Sequence, residues 1–347
     1  MKELLAETVA RILTDLCPPA VVRAAEEGKW PAALWQQIED AGLLRALAPE
    51  REGGAGLGWR DVAPMLVATG RHAAPVPLGE AVAAHALAAS AGSALPKGVI
   101  TLGLFDGEAA GSARASVRAR SVPHARSAAW VVGTLESRDP SKPATLLAMR
   151  VADALLTASA RTDGDIRCDL EWQGVTPALR AEAQAGGSAL EAGAALRTAQ
   201  IAGGIGRVLD LAVQYAGERV QFGKPIGRFQ AIQQQLAVLG ELAAASAMAA
   251  ELACDAPGTA LDPVRVACAK ARASEAAGAA AAIGHAVHGA IGVTEEHDLQ
   301  LFTRRLWAWR LDFGSDAHWS AAIGRCLLGA TGRTAWQHVI DGSSVRA

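Results

Sequence analysis

The residues best suited to chemistry in this chain lie in one segment, R-V-Q-F-G-K-P-I-G-R-F-Q, at positions 219–230. It supplies cationic, aromatic and amide side chains, namely Arg219, Gln221, Phe222, Lys224, Arg228, Phe229 and Gln230. Guanidinium groups bind pyrophosphate in a bidentate manner, aromatic rings offer an apolar wall, and a glutamine can match an adenine edge. The pattern predicts a site for the phosphate and adenosine end of a dinucleotide. The alternative is an ordinary solvated corner between two helices.

The same segment, written R-x-Q-F-G-x-P-I-G-x-F-Q, resembles the signature of the acyl-CoA dehydrogenase family. The stretch 34–56 is similar to the family's N-terminal helical domain. H-G-A-I-G-V-T-E-E-H-D-L at 288–299, followed by Arg304-Arg305, is similar to a second family segment. The resemblance covers nearly the whole chain. It implies FAD held at a subunit interface and the α,β-desaturation of an acyl-CoA thioester.

Applied to this sequence, the resemblance implies that Arg219 holds the FAD pyrophosphate of a neighbouring subunit, Phe222 packs against that cofactor and Gln230 lies near its adenine. Glycines in the 288–299 segment would let the backbone approach the dinucleotide closely. The implied cofactor-binding set is Arg219, Gln221, Phe222, Gln230, His288, Gly289 and Gly292. The chain departs from the family pattern at Ala286, where a glutamine is usual, and at Ala290, where a second glycine is usual.

The reaction of the family needs a carboxylate that removes the α-proton while a hydride leaves to the flavin. By spacing, the two family positions for that glutamate fall on Leu196, on a helix, and on Phe313, in a loop. Neither residue is acidic. Asp312 is adjacent to the loop position, with one methylene less reach than glutamate, and is the candidate base. The alternative for Asp312 is a structural loop aspartate.

The predicted β domain departs from the family as well. Members usually carry T-E-P-x-x-G-S-D and then a tryptophan followed by Ser or Thr, which bind their own flavin. The corresponding stretch 104–112 lacks the threonine, and Trp130 is followed by Val131-Val132, which favours a core position. The motifs that a chain lends to its neighbour's FAD are therefore kept, whereas those for its own flavin and substrate are lost.

This asymmetry favours a subunit of a heteromeric acyl-CoA dehydrogenase, in which a second dehydrogenase-like chain supplies the base and the substrate pocket. Some bacterial members that act on steroid side chains or other bulky acyl-CoAs are built in this way. The alternatives are a self-sufficient homo-oligomeric flavoenzyme that uses Asp312, and a non-catalytic protein that keeps the fold. The expected partners are FAD, an acyl-CoA, the second chain and an electron-transfer flavoprotein.

Three successive units must position these residues. Apolar helical stripes predict an N-terminal helical domain over 1–96, β-branched runs predict a small antiparallel β domain over 97–182, and further stripes predict a C-terminal four-helix bundle over 183–347. The fold class is α+β. In the bundle, Gly223 is expected to cap a helix that ends near position 220. The G-G-I-G run at 203–206 lies within a helical stripe, so it predicts close helix packing rather than a dinucleotide loop.

Composition excludes several classes of protein. The chain has 347 residues, 51% of them hydrophobic, and a net charge of -2, which gives no field for holding nucleic acid. Mean hydropathy is +0.18, and no stretch predicts a membrane span, not even the alanine-rich 276–294. Five scattered cysteines predict reduced thiols and a cytoplasmic location. The histidines at 285, 288 and 297 do not predict a metal site.

Overall fold

The order of elements along the chain is helices, then strands, then helices again. The computed structural model describes residues 2–109, 113–137, 139, 142–159, 167–184 and 187–329. The element type changes from helix to strand between Ser90 and Ile100, and back to helix between Glu182 and Ala189. The α+β class is therefore confirmed, and the predicted domain boundaries fall in these two connections.

Five helices build the N-terminal unit: α1 Lys2–Leu16, α2 Pro19–Glu26, α3 Ala32–Asp40, α4 Trp59–Arg71 and α5 Leu78–Ser90. The apolar spacing of α3 buries Leu34, Trp35 and Ile38. Helix α5 is buried along most of its length because it packs against both the sheet and the bundle. Its acidic residue Glu80 is only 1% exposed, so this helix carries a charge into the junction of the three units.

The β domain is one seven-stranded sheet with the order β5-β6-β2-β1-β3-β4-β7. Its strands are β1 Ile100–Glu108, β2 Ala115–Pro123, β3 Trp130–Leu135, β4 Thr145–Arg150, β5 Leu155–Ala158, β6 Arg167–Val175 and β7 Leu179–Glu182. Five of the six pairings are antiparallel, whereas β1 and β3 run parallel. Strand β2 pairs with one edge of β1 and runs antiparallel to it. Strand β3 pairs with the other edge of β1 and runs in the same direction as β1. The sheet is therefore mixed rather than wholly antiparallel.

Up to residue 329, where the described part of the chain ends, the C-terminal unit has five further helices: α6 Ala189–Glu218, α7 Gln230–Ala253, α8 Pro263–His288, α9 Leu299–Trp309 and α10 Asp316–Gly329. A Cβ atom at Gly203 would lie 2.0 Å from the Val67 carbonyl oxygen. A Cβ atom at Gly70 would lie 2.0 Å from the Gln200 carbonyl oxygen. Helices α4 and α6 thus touch backbone to backbone, and the predicted packing role of the 203–206 glycines is confirmed.

Two bundle segments are long and apolar enough, by length and composition alone, to cross a membrane: Gln230–Ala253 and Pro263–Val293. The helices α7 and α8 in these segments pack against each other and against α6. Core helices of a bundle meet the same criteria, so the absence of a membrane span stays a prediction. Only 33% of the apolar window in α7 is buried, which leaves much of that helix at the surface of the chain.

Candidate functional site

The 219–230 segment forms a tight corner between α6 and α7. Two short strands pair there as a hairpin: β8 Val220–Gln221 and β9 Lys224–Pro225. The turn residues Phe222 and Gly223 have φ angles of +50° and +78°, as a two-residue hairpin turn requires. The prediction that Gly223 caps α6 was therefore wrong. Helix α6 ends at Glu218, with Arg219 as its C-cap, because a hairpin follows directly.

The side chains predicted to bind a cofactor in this corner face solvent. The exposed members are Arg219, Gln221, Phe222 and Gln230. Phe222 is 91% exposed, and its ring meets Phe229 edge to face with centroids 6.1 Å apart. The Nζ atom of Lys224 lies 4.4 Å from the centroid of Phe229. A phenylalanine this exposed forgoes hydrophobic stabilisation unless another molecule covers it, so the corner presents a charged and aromatic surface for binding.

His288, also predicted to bind the cofactor, lies inside the bundle and is 3% exposed. Its ring stacks on Tyr215 with centroids 4.8 Å apart and meets His297 edge-on at 4.7 Å. Its Nδ1 atom lies 2.7 Å from the carbonyl oxygen of Gly284, and burial lowers its pKa, which favours the neutral ring. Because the Tyr215 carbonyl accepts the N–H of Arg219 at 2.8 Å, His288 ties the end of α8 to the corner. A direct contact of His288 with a cofactor stays a prediction.

The two predicted glycines follow His288 in a short 3-10 turn. Gly289 has a φ of +63°, and a Cβ atom there would meet no atom within 4 Å. Glycine is needed for that backbone conformation, and it leaves open space beside the turn. Gly292 is different, since a Cβ atom there would lie 2.8 Å from the Cβ of His288. The turn is therefore open to a neighbouring molecule at Gly289 and closely packed at Gly292.

Asp312, the candidate base, lies in a buried cluster of charges. Arg167 donates to both of its carboxylate oxygens, from Nη1 to Oδ1 at 3.1 Å and from Nη2 to Oδ2 at 2.9 Å. The Nε atom of Arg197 donates to Asp312 Oδ2 at 3.1 Å, and Arg197 Nη1 lies 2.9 Å from Glu80 Oε1. The four side chains are at most 6% exposed. A carboxylate whose oxygens are engaged by two guanidinium groups fits a structural role better than that of a free base.

The two positions predicted for a glutamate base are apolar and buried. Leu196 is completely buried on α6. Phe313 is 9% exposed and has a φ of +51°. Its ring packs on Gly193, where a Cβ atom would lie 2.3 Å from the ring. Trp319 Nε1 donates to the Phe313 carbonyl at 2.9 Å, so the loop that would carry the base is fixed in place.

Lys270 on α8 fixes the same loop from its other side. Its Nζ atom donates to Ser274 Oγ at 2.8 Å and to the carbonyl oxygens of Arg310 and Gly314 at 3.1 and 2.9 Å. Burial lowers the pKa of Lys270 to about 7, although the charge of Asp312 opposes that shift. A buried lysine that holds two main-chain carbonyls leaves the loop little freedom to open.

A cleft of 210 Å³ separates this loop from the sheet. Residues 102–104 of β1, 120–123 of β2 and 311–314 of the loop line it, together with Arg167. Pockets that bind drug-sized ligands have volumes of about 300–1,000 Å³, so this cleft is small. Trp130 packs against the core and donates to the Lys97 carbonyl at 3.0 Å, in agreement with the core position expected for it.

Sequence reasoning missed Glu80, Arg167 and Arg197 as members of the site. A signal was present for two of them, because Glu80 stands in L-G-E-A-V-A and Arg197 in A-A-L-R-T-A. A charged residue inside an apolar helical run indicates a buried pair, since burial of an unpaired charge is too costly. The identity of each partner depends on contacts between distant parts of the chain.

Comparison with known proteins agrees with this architecture. The acyl-CoA dehydrogenase N-terminal domain matches residues 1–94, and the acyl-CoA dehydrogenase C-terminal domain matches residues 185–328. The acyl-CoA dehydrogenase IpdE2 of Mycobacterium tuberculosis is 32% identical over 324 residues, which cover 88% of this chain and 90% of that protein. The chain belongs to the acyl-CoA dehydrogenase family.

Two solved structures superpose over nearly the whole chain. The ChsE4-ChsE5 complex from Mycobacterium tuberculosis gives a TM-score of 0.81 at 26% identity, covering 95% of this chain and 98% of that one. The Tcur3481-Tcur3483 steroid ACAD gives a TM-score of 0.82 at 26% identity, covering 93% and 96%. The predicted acyl-CoA dehydrogenase fold is confirmed.

Membership of the acyl-CoA dehydrogenase family implies FAD, and two parts of this chain fit that cofactor differently. The 219–230 corner fits, because its cations, amides and Phe222 face outward and open space adjoins Gly289. The cleft does not fit, because it measures 210 Å³ and the paired Arg167 and Asp312 form part of its wall. Among the described residues, the corner therefore suits FAD better than the cleft does.

Proposed function

We propose that this chain is one subunit of a heteromeric acyl-CoA dehydrogenase. A second dehydrogenase-like chain supplies the glutamate base and the acyl-CoA pocket, and this chain completes the partner's FAD site with its 219–230 corner. The observation that carries the proposal is a contrast within one molecule. The corner is exposed, whereas Leu196 and Phe313, at the positions for the base, are buried and apolar.

In this proposal the corner binds the cofactor across the subunit boundary. Bound FAD supplies the hydride acceptor for desaturation. Arg219 holds the pyrophosphate, and among the described residues its guanidinium has no carboxylate partner to compete with that role. Phe222 forms an apolar wall, Gln221 and Gln230 provide amide contacts, and Gly289 allows close approach of the backbone.

In this proposal a base on the partner chain removes the α-proton of the substrate. A positioned general base contributes typically about 10²–10⁴-fold to the rate, and this chain has no acid at either expected position. Asp312 is held by Arg167 and Arg197 in the interior. A carboxylate in that arrangement is neither free nor able to reach a thioester bound outside the cluster.

The surface of α7 supports an obligate interface with another chain. Val238, Met248 and Leu252 on this helix are 47%, 64% and 39% exposed, and its only charges are Glu241 and Glu251. An extended apolar helix face of this kind marks a protein contact. Stable interfaces bury about 1,200–2,000 Å² in total, and a second chain of the same fold would cover both this face and the neighbouring corner.

The relatives suggest which acyl group to test. One solved relative is a ChsE4-ChsE5 complex and another is a steroid ACAD. By that analogy, the proposed substrate is a bulky acyl-CoA from steroid side-chain or fatty acid degradation. We further propose electron-transfer flavoprotein as the electron acceptor and the cytoplasm as the location, which is consistent with five free cysteines in the structure.

Co-expression tests this function. The chain is purified alone and together with a dehydrogenase-like chain encoded beside it, and flavin content and acyl-CoA-dependent reduction of an artificial acceptor are measured for both. We expect little flavin and no activity alone, and a yellow, active complex of both chains. A yellow chain that bleaches with acyl-CoA by itself would indicate a self-sufficient enzyme. A lack of flavin in both preparations would indicate a non-catalytic protein.

A further inference from the structure

The buried charge cluster joins all three structural units of the chain. Glu80 comes from α5 of the N-terminal unit and Arg167 begins β6 of the sheet. Arg197 lies on α6 of the bundle, and Asp312 lies in the loop after α9. The contacts run from Glu80 to Arg197 at 2.9 Å, from Arg197 to Asp312 at 3.1 Å and from Asp312 to Arg167 at 2.9 Å. A single chain of ion pairs therefore connects the three units at their junction.

The cluster has the composition that burial requires. Its members carry two negative and two positive charges, and each ion pair consists of an acid and a guanidinium group. Removal of one partner from such a cluster leaves an uncompensated charge in a medium that solvates it poorly. Arg197 also donates to Gln200, which in turn donates to Thr69 of α4 at 3.2 Å, so the network continues into a second N-terminal helix.

The loop that carries Asp312 is also held by contacts other than the ion pairs of the cluster. Lys270 donates to the carbonyls of Arg310 and Gly314 at either side of Asp312. The Phe313 ring fills the space above Gly193. The carboxylate of Asp312 is thus presented to Arg167 and Arg197 by a preformed loop, which lowers the entropic cost of forming the ion pairs.

We propose that Glu80, Arg197, Asp312 and Arg167 form an interdomain clamp that borders this chain's own cleft and holds the three units together without a flavin between them. The cleft beside the clamp measures 210 Å³, and Arg167 and Asp312 lie in its wall. Two of its members are next to the positions expected for a catalytic acid, since Arg197 follows Leu196 and Asp312 precedes Phe313. Its action requires only this chain and does not depend on the heteromeric partner.

The chain offers a matched control for this clamp. Asp106 and Arg118 on the sheet also form a two-bond pair, at 2.9 and 2.6 Å, but their side chains are 71% and 53% exposed. Asp312→Asn and Asp106→Asn therefore make the same chemical change in a buried and in an exposed ion pair. The melting temperature of the full chain should fall by roughly 5–10 °C for Asp312→Asn and by about 1 °C or less for Asp106→Asn.

Hydrogen–deuterium exchange distinguishes a clamp from a local contact. In Asp312→Asn we expect faster exchange at the start of β6 and around Arg197 in α6, which contact Asp312 directly, and in α5, which is linked to Asp312 through Arg197. If that variant does not fold, the double change Arg167→Met with Asp312→Leu removes both charges of one pair. The double variant should fold, because an apolar pair leaves no buried charge unpaired, and a double variant that also fails to fold would count against the clamp.

Three results would overturn the clamp. One is an equal effect of Asp312→Asn and Asp106→Asn on the melting temperature. Another is faster exchange confined to residues 311–316. The third is a wild-type chain, purified alone, whose melting temperature rises by several degrees with saturating FAD. The first two measurements concern only the ion pairs within this chain, so a failure of the heteromer proposal would leave them unchanged.

Discussion

Restoring the missing acid at position 313 should not make this chain a dehydrogenase. Phe313→Glu places a carboxylate at the loop position where the family resemblance expects the base. If the lost glutamate were the only defect, this one change would restore proton abstraction, and turnover would rise by about 10²–10⁴-fold. We expect no gain, because the cleft of 210 Å³ and the paired Asp312 leave no room for a thioester beside the new side chain.

The same change should cost stability, by an amount that follows from the contacts of the ring. Phe313 is 9% exposed and packs on Gly193, and the Cζ atom of Arg197 lies 5.7 Å from its ring centroid. Truncation of a buried phenylalanine costs about 3–5 kcal/mol. A pairing of the new carboxylate with Arg197 offsets part of its desolvation. We therefore expect a loss of about 3–5 kcal/mol in the free energy of unfolding, with no new activity.

Phe313→Gln is the matched control, since it has the shape of glutamate without the acid. Each variant is purified without a partner, supplied with FAD and assayed for acyl-CoA-dependent reduction of an artificial acceptor, and urea unfolding gives the stability change. Similar destabilisation and no activity in both variants is the expected result. A hundredfold rise in activity with Phe313→Glu and none with Phe313→Gln would show that the cleft accepts substrate and that the reasoning is wrong.

Arg219→Ala, in whichever assembly retains flavin, should weaken FAD binding roughly ten- to a hundredfold, because a charge-assisted contact is lost; unchanged FAD retention with a lower melting temperature would assign Arg219 a structural role. Gly203→Ala should lower the free energy of unfolding by about 1–3 kcal/mol, since the new Cβ would lie 2.0 Å from the Val67 carbonyl oxygen. At Gly240 a Cβ atom would meet no atom within 4 Å, so Gly240→Ala should raise the free energy of unfolding by about 0.5–1 kcal/mol. Equal effects of the two substitutions in urea unfolding would refute the close contact between the backbones of α4 and α6. Burial lowers the pKa of Lys270 from 10.5 to about 7, so the unfolded state binds more protons between these values and stability rises with pH there. Lys270→Met should remove this rise, which is measured as the denaturation midpoint at a series of pH values between about 7 and 10.5. An unchanged rise would show that Lys270 does not cause it.

Elements with a local signal were predictable from the sequence. Helix α3 follows from the spacing of Leu34, Trp35 and Ile38, because one face of a helix repeats every three or four residues. Strand β2 has a weaker local signal, because arginine and serine occupy its outward positions and A-S-V-R-A-R-S-V-P is therefore not an apolar run. The role of Gly223 was also misjudged, since a helix cap and a hairpin turn both favour a glycine with positive φ.

The candidate site likewise contains residues that a local motif predicts and residues whose role depends on distant parts of the chain. Arg219, Gln221, Phe222 and Gln230 stand within twelve consecutive positions, so a contiguous motif was enough to predict a corner that binds a cofactor. Asp312 could be recognised in the sequence as an acid next to Phe313, the position where the family has its glutamate. Its chemistry, however, is set by Arg167 and Arg197, which lie far away along the chain.

The helical stripes, the corner at 219–230 and the absence of a glutamate at Leu196 and Phe313 could be recognised from the sequence, because each of these depends on residue identity and short-range spacing. The tertiary structure alone decided that Asp312 is engaged and that the cleft beside it is small. Those facts depend on Glu80, Arg197 and Arg167 meeting it at one point. Ion pairs act over a few ångströms of space, and only the packing of helix α5, strand β6 and helix α6 around one loop brings such distant charges within that range.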